Sequence, residues 1–520
     1  MSETGQMPRV AFRTDASSQI GTGHVKRCGA LAAALLDLGA DVLLVDRDHG
    51  IATEPMLDAR IRKVRLPSPQ GAMPASSVPH AAWAGVGQAE DAEAFIDAVK
   101  DFTPDWVVVD HYAFDGHWHD AVRSALGCKI LVIDDLADRS LSADIVVDHN
   151  LRADTRRFYQ HRLTRPAKVL DGPRFALLGP AYVKAPRYSF RDGVESIGIF
   201  MGGSDFLGMS IVALDALDAT GFVGSVEIAT TSANPTLESL RIRASARPAT
   251  SITIDQPDLA AFFARHDLQI GAGGGASWER CCIGVPTIAT PWADNQKAVL
   301  EELSAAGAVT YVAKPLTAAL TNAITQLIAD PNLRRALATI SCTLVDGRGA
   351  ERVGLAMLAN TMQVRPITAQ QGRLMHAWRN APETRLVSRD SQEIDLQSHL
   401  DWLEKSLVNA QRHILMGYVG QVPVGIVRFD QADSQSFEVS IYLDPGLHGL
   451  GLGVPLLLAG EAALAEYAPN AKTITADTLP KNGGSQAMFR RAGYAGETNF
   501  VKNISSVLGR QDDHKGSPAR

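Results

Sequence analysis

The sequence predicts an α/β chain: two parallel-sheet domains in tandem, followed by a smaller block of mixed strands and helices. Three observations predict it. Short apolar runs alternate with helical runs across residues 8–187, and the alternation starts again across residues 188–360. Polar clusters and glycine-rich loops stand at the ends of those apolar runs. From residue 363 the pattern changes to strands linked by a hairpin, with a further glycine-rich turn before a helix.

In the first block the expected strands are Val10–Phe12, Val42–Val45, Trp106–Val109, Ile130–Ile133 and Asp144–Val147. The first strand runs into Arg13-Thr-Asp-Ala-Ser-Ser-Gln-Ile-Gly-Thr-Gly-His24, and a helix is expected from Val25 to Leu38. Glycines between strand and helix let backbone approach a phosphate, whose charge the helix N-terminus attracts. His24 then stands as a base beside that phosphate. A Gly-x-Gly of this kind is also an ordinary tight turn, and a histidine there is also an ordinary cap. A dinucleotide fingerprint fits poorly, because Lys26 stands where the third glycine belongs and the glycines begin eight residues past Arg13. Asp46, ending the second strand, keeps that cofactor reading alive as a ribose ligand. Four strand ends carry polar clusters: Arg13 with Asp15, Asp110-His-Tyr112, Asp134-Asp135, and Asp148-His-Asn150. Ligands of parallel sheets bind at the carboxyl ends of the strands, so four polar ends on one edge predict a site.

The second block repeats the design. Ser196–Met201 is followed by Gly202-Gly-Ser-Asp205, Leu268–Ile270 by Gly271-Ala-Gly-Gly-Gly-Ala276 and a helix from near Ser277, and Thr287–Ala289 by Pro291-Trp-Ala-Asp-Asn-Gln296. Two such domains would face each other across a cleft. In the third block, Ile414–Val419 and Val424–Asp430 are joined by a Gly420-Gln-Val-Pro turn, and Ser436–Leu443 follows. Asp444-Pro-Gly-Leu-His-Gly-Leu-Gly-Leu-Gly453 then leads into a helix to about Glu466, a strand at Thr473–Asp477 and a helix around Gln486–Arg491. Thr361–Val364 reads as the link from the second block.

The 520 residues leave room for three or four domains. A hydrophobic share of 46%, a charged share of 21% and a net charge of −7 fit a globular protein and argue against a general nucleic-acid binder. No apolar run is long enough to cross a membrane, and Met-Ser-Glu-Thr-Gly-Gln lacks the features of a secretion signal. Cys28, Cys128, Cys281, Cys282 and Cys342 show no metal-ligand spacing and fit reduced, cytoplasmic thiols. The polar tail, 507–520, has the composition of a disordered segment.

Several motifs taken together resemble a known family. Gly21-Thr-Gly-His24, Asp110-His-Tyr112, Ile133-Asp-Asp-Leu136, Gly274-Gly-Ala-Ser-Trp-Glu-Arg280 and Ala293-Asp-Asn-Gln296 look like the UDP-sugar hydrolase of pseudaminic acid biosynthesis. That family releases UDP from UDP-2,4-diacetamido-2,4,6-trideoxy-β-L-altropyranose. It is similar in fold to the two-Rossmann glycosyltransferase that makes lipid II, so the resemblance implies a GT-B arrangement with domains at 1–187 and 188–360. The third block, 363–506, resembles the GNAT N-acetyltransferases through His448-x-x-Gly451-x-Gly453, and Trp378-Arg-Asn-Ala-Pro-Glu-Thr-Arg385 is similar to the acetyltransferase of the same pathway. That enzyme acetylates the 4-amino group of the UDP-sugar whose product the hydrolase consumes.

The resemblance implies roles by position. His24 is the base that activates water, and the helix dipole favours its neutral form. Tyr112 and Asn295 position sugar or water. Arg13, Asp15, Gly21, Gly23, Gly202, Gly203, Ser204, Gly274, Gly275, Ala276, Ser277, Glu279 and Gln296 bind the UDP-sugar, with Glu279 on the ribose hydroxyls. No metal and no cofactor is expected for hydrolysis. Acetyl-CoA is the expected cosubstrate of the third block, bound by Tyr442, Leu443, His448, Gly449, Leu450, Gly451, Leu452, Gly453 and Asn482, with Glu438 a candidate base for the sugar amine. Nucleic-acid and membrane partners are not expected. Two departures from the GNAT pattern stand out. His448 replaces an Arg or Gln, and Phe489 occupies the position of the usual tyrosine acid, leaving Tyr442 or Tyr494 as substitutes. The rival readings are a GT-B glycosyltransferase, and a hydrolase whose third block is a coenzyme A-binding regulatory module without catalysis.

Overall fold

Strands rich in Val and Ile and buried on both faces set the first sheet. The structure is a computed structural model and describes residues 7–70 and 75–504; the expectation for residues 507–520 falls outside that range. The strands are β1 (Arg9–Thr14), β2 (Asp41–Arg47), β3 (Arg62–Leu66), β4 (Trp106–Asp110), β5 (Lys129–Ile133), β6 (Ile145–Asp148) and β7 (Lys168–Asp171). All pair in parallel, in the order β3-β2-β1-β4-β5-β6-β7. On β4, Val107 and Val109 pack with Phe95, Val99 and Trp118 in one cluster, while the alternate residue Val108 is equally buried. Helices therefore cover both faces, as a parallel sheet requires.

The second sheet follows the same plan with β8 (Ser196–Phe200), β9 (Ser225–Thr230), β10 (Thr250–Ile254), β11 (Leu268–Ala272), β12 (Thr287–Thr290) and β13 (Thr310–Tyr311), ordered β10-β9-β8-β11-β12-β13 and parallel throughout. In each sheet the chain first winds outward to one side and then continues on the other. The switch points lie between β1 and β4 and between β8 and β11, where crevices open beyond the carboxyl ends. His24 and Tyr112 follow the first pair, and Gly202–Ser204 and Gly273–Ser277 follow the second.

The chain divides into two compact units between Val353 and Gly354; both parallel sheets belong to the unit Met7–Val353. The other unit carries β14 (Gln363–Pro366), β15 (Arg412–Val419), β16 (Val422–Gln431), β17 (Ser436–Leu443), β18 (Thr473–Asp477), β19 (Ala495–Gly496) and β20 (Asn499–Asn503), ordered β14-β15-β16-β17-β18-β20-β19. Only β17 and β18 pair in parallel.

Several strands were invisible as apolar runs. β3 reads Arg-Lys-Val-Arg-Leu with only Leu66 buried, and β7 and β10 are also edge strands that bury few side chains. Residues 363–364, expected in a link, instead begin β14 and pair with β15. The turn between β15 and β16 is Gly420-Gln421, because Val422 and Pro423 already pair across the hairpin.

Candidate active sites

The first site begins with a loop that needs no side-chain bulk. Gly21 and Gly23 are exposed, and a Cβ at either would meet nothing within 4 Å. The loop sets His24 as the second residue of the helix Gly23–Asp37. Its Nδ1 lies 2.6 Å from Asp110 Oδ1 at the end of β4. Asp110 also accepts from Arg27, Nε at 2.5 Å and Nη2 at 2.7 Å. Burial pushes the Asp110 carboxyl up, but the Arg27 charge and His24 outweigh it and hold the carboxyl well below the usual range. An ionised carboxylate at that distance places a ring proton on Nδ1, so in the neutral ring Nε2 carries the lone pair.

Tyr112 closes one side of His24, with ring centroids 4.7 Å apart in an edge arrangement, and Trp83 stands at 6.3 Å. The Tyr112 hydroxyl donates to Asp135 in a short bond and accepts from Arg27 Nη2 at 3.2 Å. Burial, with the Asp135 charge, raises the phenol far above its usual value, so it keeps its proton. Arg27, Asp110 and Asp135 thus belong to the constellation, although none was assigned a role from sequence. Arg27 had a signal, since it lies three residues after His24 on the same helix face.

Two expectations for this end of the sheet fail. Arg13 and Asp15 are fully buried, so neither reaches a ligand. Arg13 pairs with Asp15 at 2.5 Å and Asp91 at 2.6 Å; Arg47 pairs with Asp91, and His111 with Asp15. A buried guanidinium on an inward-facing strand position must be neutralised locally, and this network ties together the ends of β1, β2 and β4. Asp46 is likewise committed, to Thr53 at 2.6 Å and Lys63 at 3.0 Å, which removes the ribose role proposed for a dinucleotide.

The second sheet carries its own loops at its switch point. A Cβ on Gly273 would lie 2.9 Å from Gln296 Oε1, and Gln296 in turn accepts from the Trp292 amide at 3.2 Å, so a side chain there would displace that bond. Gly274 and Gly275 are exposed and Ala276 is half-buried. Ser277 is a correction: it is 1% exposed, 3.3 Å from the buried Arg280, and inside the fold. Gly202, Gly203 and Ser204 form a turn fixed by Thr231 Oγ1 donating to the Gly203 carbonyl at 2.8 Å. Half-buried Glu279 bonds the Tyr182 hydroxyl. Burial raises its carboxyl against the pull of Lys26, which belongs to the His24 helix. His149, at the end of β6, meets Trp278 edge-on at 6.0 Å. These contacts face the His24 helix with the helix Gly275–Ile283. Asn295 is exposed at the start of the helix Asp294–Ala305, with no contact tying it to His24. No cluster of three His, Cys, Asp or Glu side chains suited to a metal occurs among the described residues.

The unit beginning at Gly354 holds a cavity of about 1010 Å³. Its cause is a split in the sheet. β17 pairs with β18 only at Ser436–Glu438, while it pairs with β16 along Phe437–Leu443. The β18-facing backbone groups beyond Glu438 are therefore unpaired by that strand. His448, Gly449, Gly451, Leu452 and Gly453 line the same cavity ahead of the helix Gly453–Tyr467, as do Tyr442, Leu443 and Asn482. Gly451 has φ +80°, a conformation that side chains with a Cβ rarely adopt. Leu450 departs from expectation: its side chain is 1% exposed and does not line the cavity. Asn482 caps the helix Gly483–Arg491 through Ser485 N at 3.1 Å. Phe489 packs on Tyr494 and Phe500. Tyr494 bonds Glu461 at 2.8 Å in the core and is not on the cavity wall, whereas Tyr442 is. Arg389 spans Glu438 and Asp477, both at 2.7 Å.

Residues 374–494 match the model of the acetyltransferase (GNAT) family. Over 252 residues the chain is 25% identical to the UDP-2,4-diacetamido-2,4,6-trideoxy-beta-L-altropyranose hydrolase of Campylobacter jejuni, covering 48% of this chain and 80% of that protein. Over 239 residues it is 25% identical to the spore coat polysaccharide biosynthesis protein SpsG of Bacillus subtilis, covering 45% and 70%. Among solved structures, MurG of Acinetobacter baumannii aligns with 67% of this chain and 98% of its own, at 18% identity and a TM-score of 0.46. The strand orders themselves give two Rossmann-like sheets in tandem. The chain thus joins a region related to nucleotide-sugar enzymes to a C-terminal GNAT acetyltransferase domain.

Proposed function

We propose that the chain catalyses two consecutive steps on one nucleotide sugar. The GNAT domain acetylates the 4-amino group of a UDP-amino sugar, and the region Met7–Val353 hydrolyses the resulting UDP-2,4-diacetamido sugar to free sugar and UDP. The observation that carries the reading is the His24–Asp110 pair, 2.6 Å apart at the first switch point, on a helix facing the one that bears Glu279.

In hydrolysis, His24 Nε2 takes a proton from water as the water oxygen bonds to the anomeric carbon. The bond from that carbon to the β-phosphate oxygen breaks, and UDP leaves with the electron pair. Asp110 fixes the ring and stabilises the imidazolium, as a carboxylate does for a catalytic histidine. Tyr112 and Asn295 position sugar and water. Amides of Gly202–Ser204 and Gly274–Ala276 hold the nucleotide, and Glu279 takes ribose hydroxyls. In acetyl transfer, the sugar nitrogen attacks the thioester carbonyl of acetyl-CoA, the carbon–sulfur bond breaks, and the nitrogen gives up a proton to water. Amides of the turn at Gly449–Gly453 hold the pyrophosphate, and the unpaired stretch of β17 holds the pantetheine arm. Tyr442, the phenol on the cavity wall, protonates the departing thiolate.

The test is mass spectrometry of products from the full chain and the 4-amino UDP-sugar, with and without acetyl-CoA. Acetylated UDP-sugar followed by free diacetamido sugar and UDP, only when acetyl-CoA is present, supports the reading. Absence of UDP release from pre-acetylated substrate sinks the hydrolase. Phe489 favours a second reading of the GNAT domain as a coenzyme A sensor, and binding without transfer would establish that instead.

A further inference from the structure

The GNAT cavity has a face that coenzyme A binding by the turn does not use. Four residues that line it each carry a polar atom buried without a hydrogen-bond partner: Arg379 Nη1, Thr384 Oγ1, His399 Nε2 and Tyr442 Oη. They come from four elements, the helices Gly372–Asn380, Pro382–Leu386 and Leu396–Leu407 and strand β17, and all four residues line the cavity. Native folds pair almost all buried polar atoms; the thioester accounts for Tyr442, and the other three orphans around the same space point to a second, polar ligand. The Arg379 charge bears on both the Tyr442 hydroxyl and the His399 ring. Arg379 is anchored by Nη2 donating to the Asp390 carbonyl at 3.0 Å, which leaves Nη1 for the ligand. Of the four carboxylates on the cavity wall, Glu438 and Asp477 both pair with Arg389, and Glu383 and Asp390 remain as the negative groups an anion would meet.

We propose that this face is the acceptor subsite, and that Arg379 binds the diphosphate of a nucleoside-diphosphate amino sugar there while Thr384 and His399 bond the same acceptor. This rests on the acetyl-transfer reading above. A planar guanidinium suits a diphosphate, and the orphan donors suit an anionic acceptor better than a polycation.

Hydrogen exchange on the full chain with UDP as the probe separates the two nucleotide sites. UDP is expected to protect residues 372–390 as well as the loops at 202–205 and 273–277, and Arg379→Gln is expected to lose only the first protection. In the same variant the KM for the amino sugar nucleotide should rise at least about tenfold, with the KM for acetyl-CoA and hydrolysis of pre-acetylated substrate unchanged. Should the glutamine variant fail to fold, Arg379→Lys keeps the charge and loses the fork, and an intermediate rise in acceptor KM is expected. Protection confined to 202–205 and 273–277, or an acceptor KM unmoved in either variant, overturns the subsite. Protection of 372–390 with no acetylation of the sugar would instead overturn the acetyl-transfer reading and leave the anion subsite standing.

Discussion

Replacing Asp110 with Asn tests the dyad at its least obvious member. The carboxylate is fully buried and accepts from His24 Nδ1 at 2.6 Å and twice from Arg27. An amide turning its N–H₂ toward the ring forces Nδ1 to accept, so the proton moves to Nε2 and the base is lost. Losing a positioned base costs about 10²–10⁴ in rate, and the wrong tautomer in a serine-protease triad costs about 10⁴. The expected fall in kcat is therefore about 10²–10⁴, or about 2.7–5.5 kcal/mol in barrier. His24→Ala should fall by a similar factor. Because the pair acts as a unit, the double variant should be no slower than His24→Ala within a few-fold. Asp110→Asn should also destabilise the fold by up to about 3–5 kcal/mol, since Arg27 then keeps Asp135, at 3.5 Å, as its carboxylate partner. The assay is UDP release at saturating substrate, with circular dichroism to establish folding. A folded Asp110→Asn with near-normal kcat, or single effects that multiply in the double variant, refutes the mechanism.

Two further outcomes are expected. Gly451→Val places a branched residue at φ +80° on the cavity wall and should abolish acetyl transfer while hydrolysis of pre-acetylated substrate continues; coupled loss of both activities would contradict independent sites. Burial pulls His119 down to about 3, helped by Arg139 and Arg123, so its ring stays neutral in the fold while the unfolded chain titrates near 6.5. The stability this contributes is complete above about pH 6.5 and is lost as pH falls toward 3, at about 1.4 kcal/mol per pH unit. Denaturant titrations at pH 6.5 and 5 should differ by about 2 kcal/mol from this group alone, and His119→Leu should remove that part of the slope; an unchanged slope would show the ring does not govern it.

Central strands were legible from the sequence because burial on both faces leaves a continuous apolar run, as in Trp106–Val109. Edge strands such as Arg62–Leu66 bury few side chains and left no such trace. Polar strand ends announced a site, yet sequence alone did not divide them. Asp110 and Tyr112 bond into the His24 constellation, whereas Arg13 and Asp15 turn into a buried ion network. Which way a strand-end side chain turns depends on partners far along the chain: Asp91 is 78 residues from Arg13, and Asp110 is 86 from His24. In the GNAT domain both tyrosines looked equivalent as acids until Glu461 claimed Tyr494.

The central claim is that water, activated by His24, attacks the sugar and not the phosphate. Hydrolysis of the UDP-diacetamido sugar in ¹⁸O-enriched water, with UDP read by mass spectrometry, tests it most directly. Cleavage between the anomeric carbon and oxygen predicts UDP carrying no label, with the label in the freshly released sugar. Label in the β-phosphate of UDP, or UDP release that requires an acceptor other than water, would contradict the account.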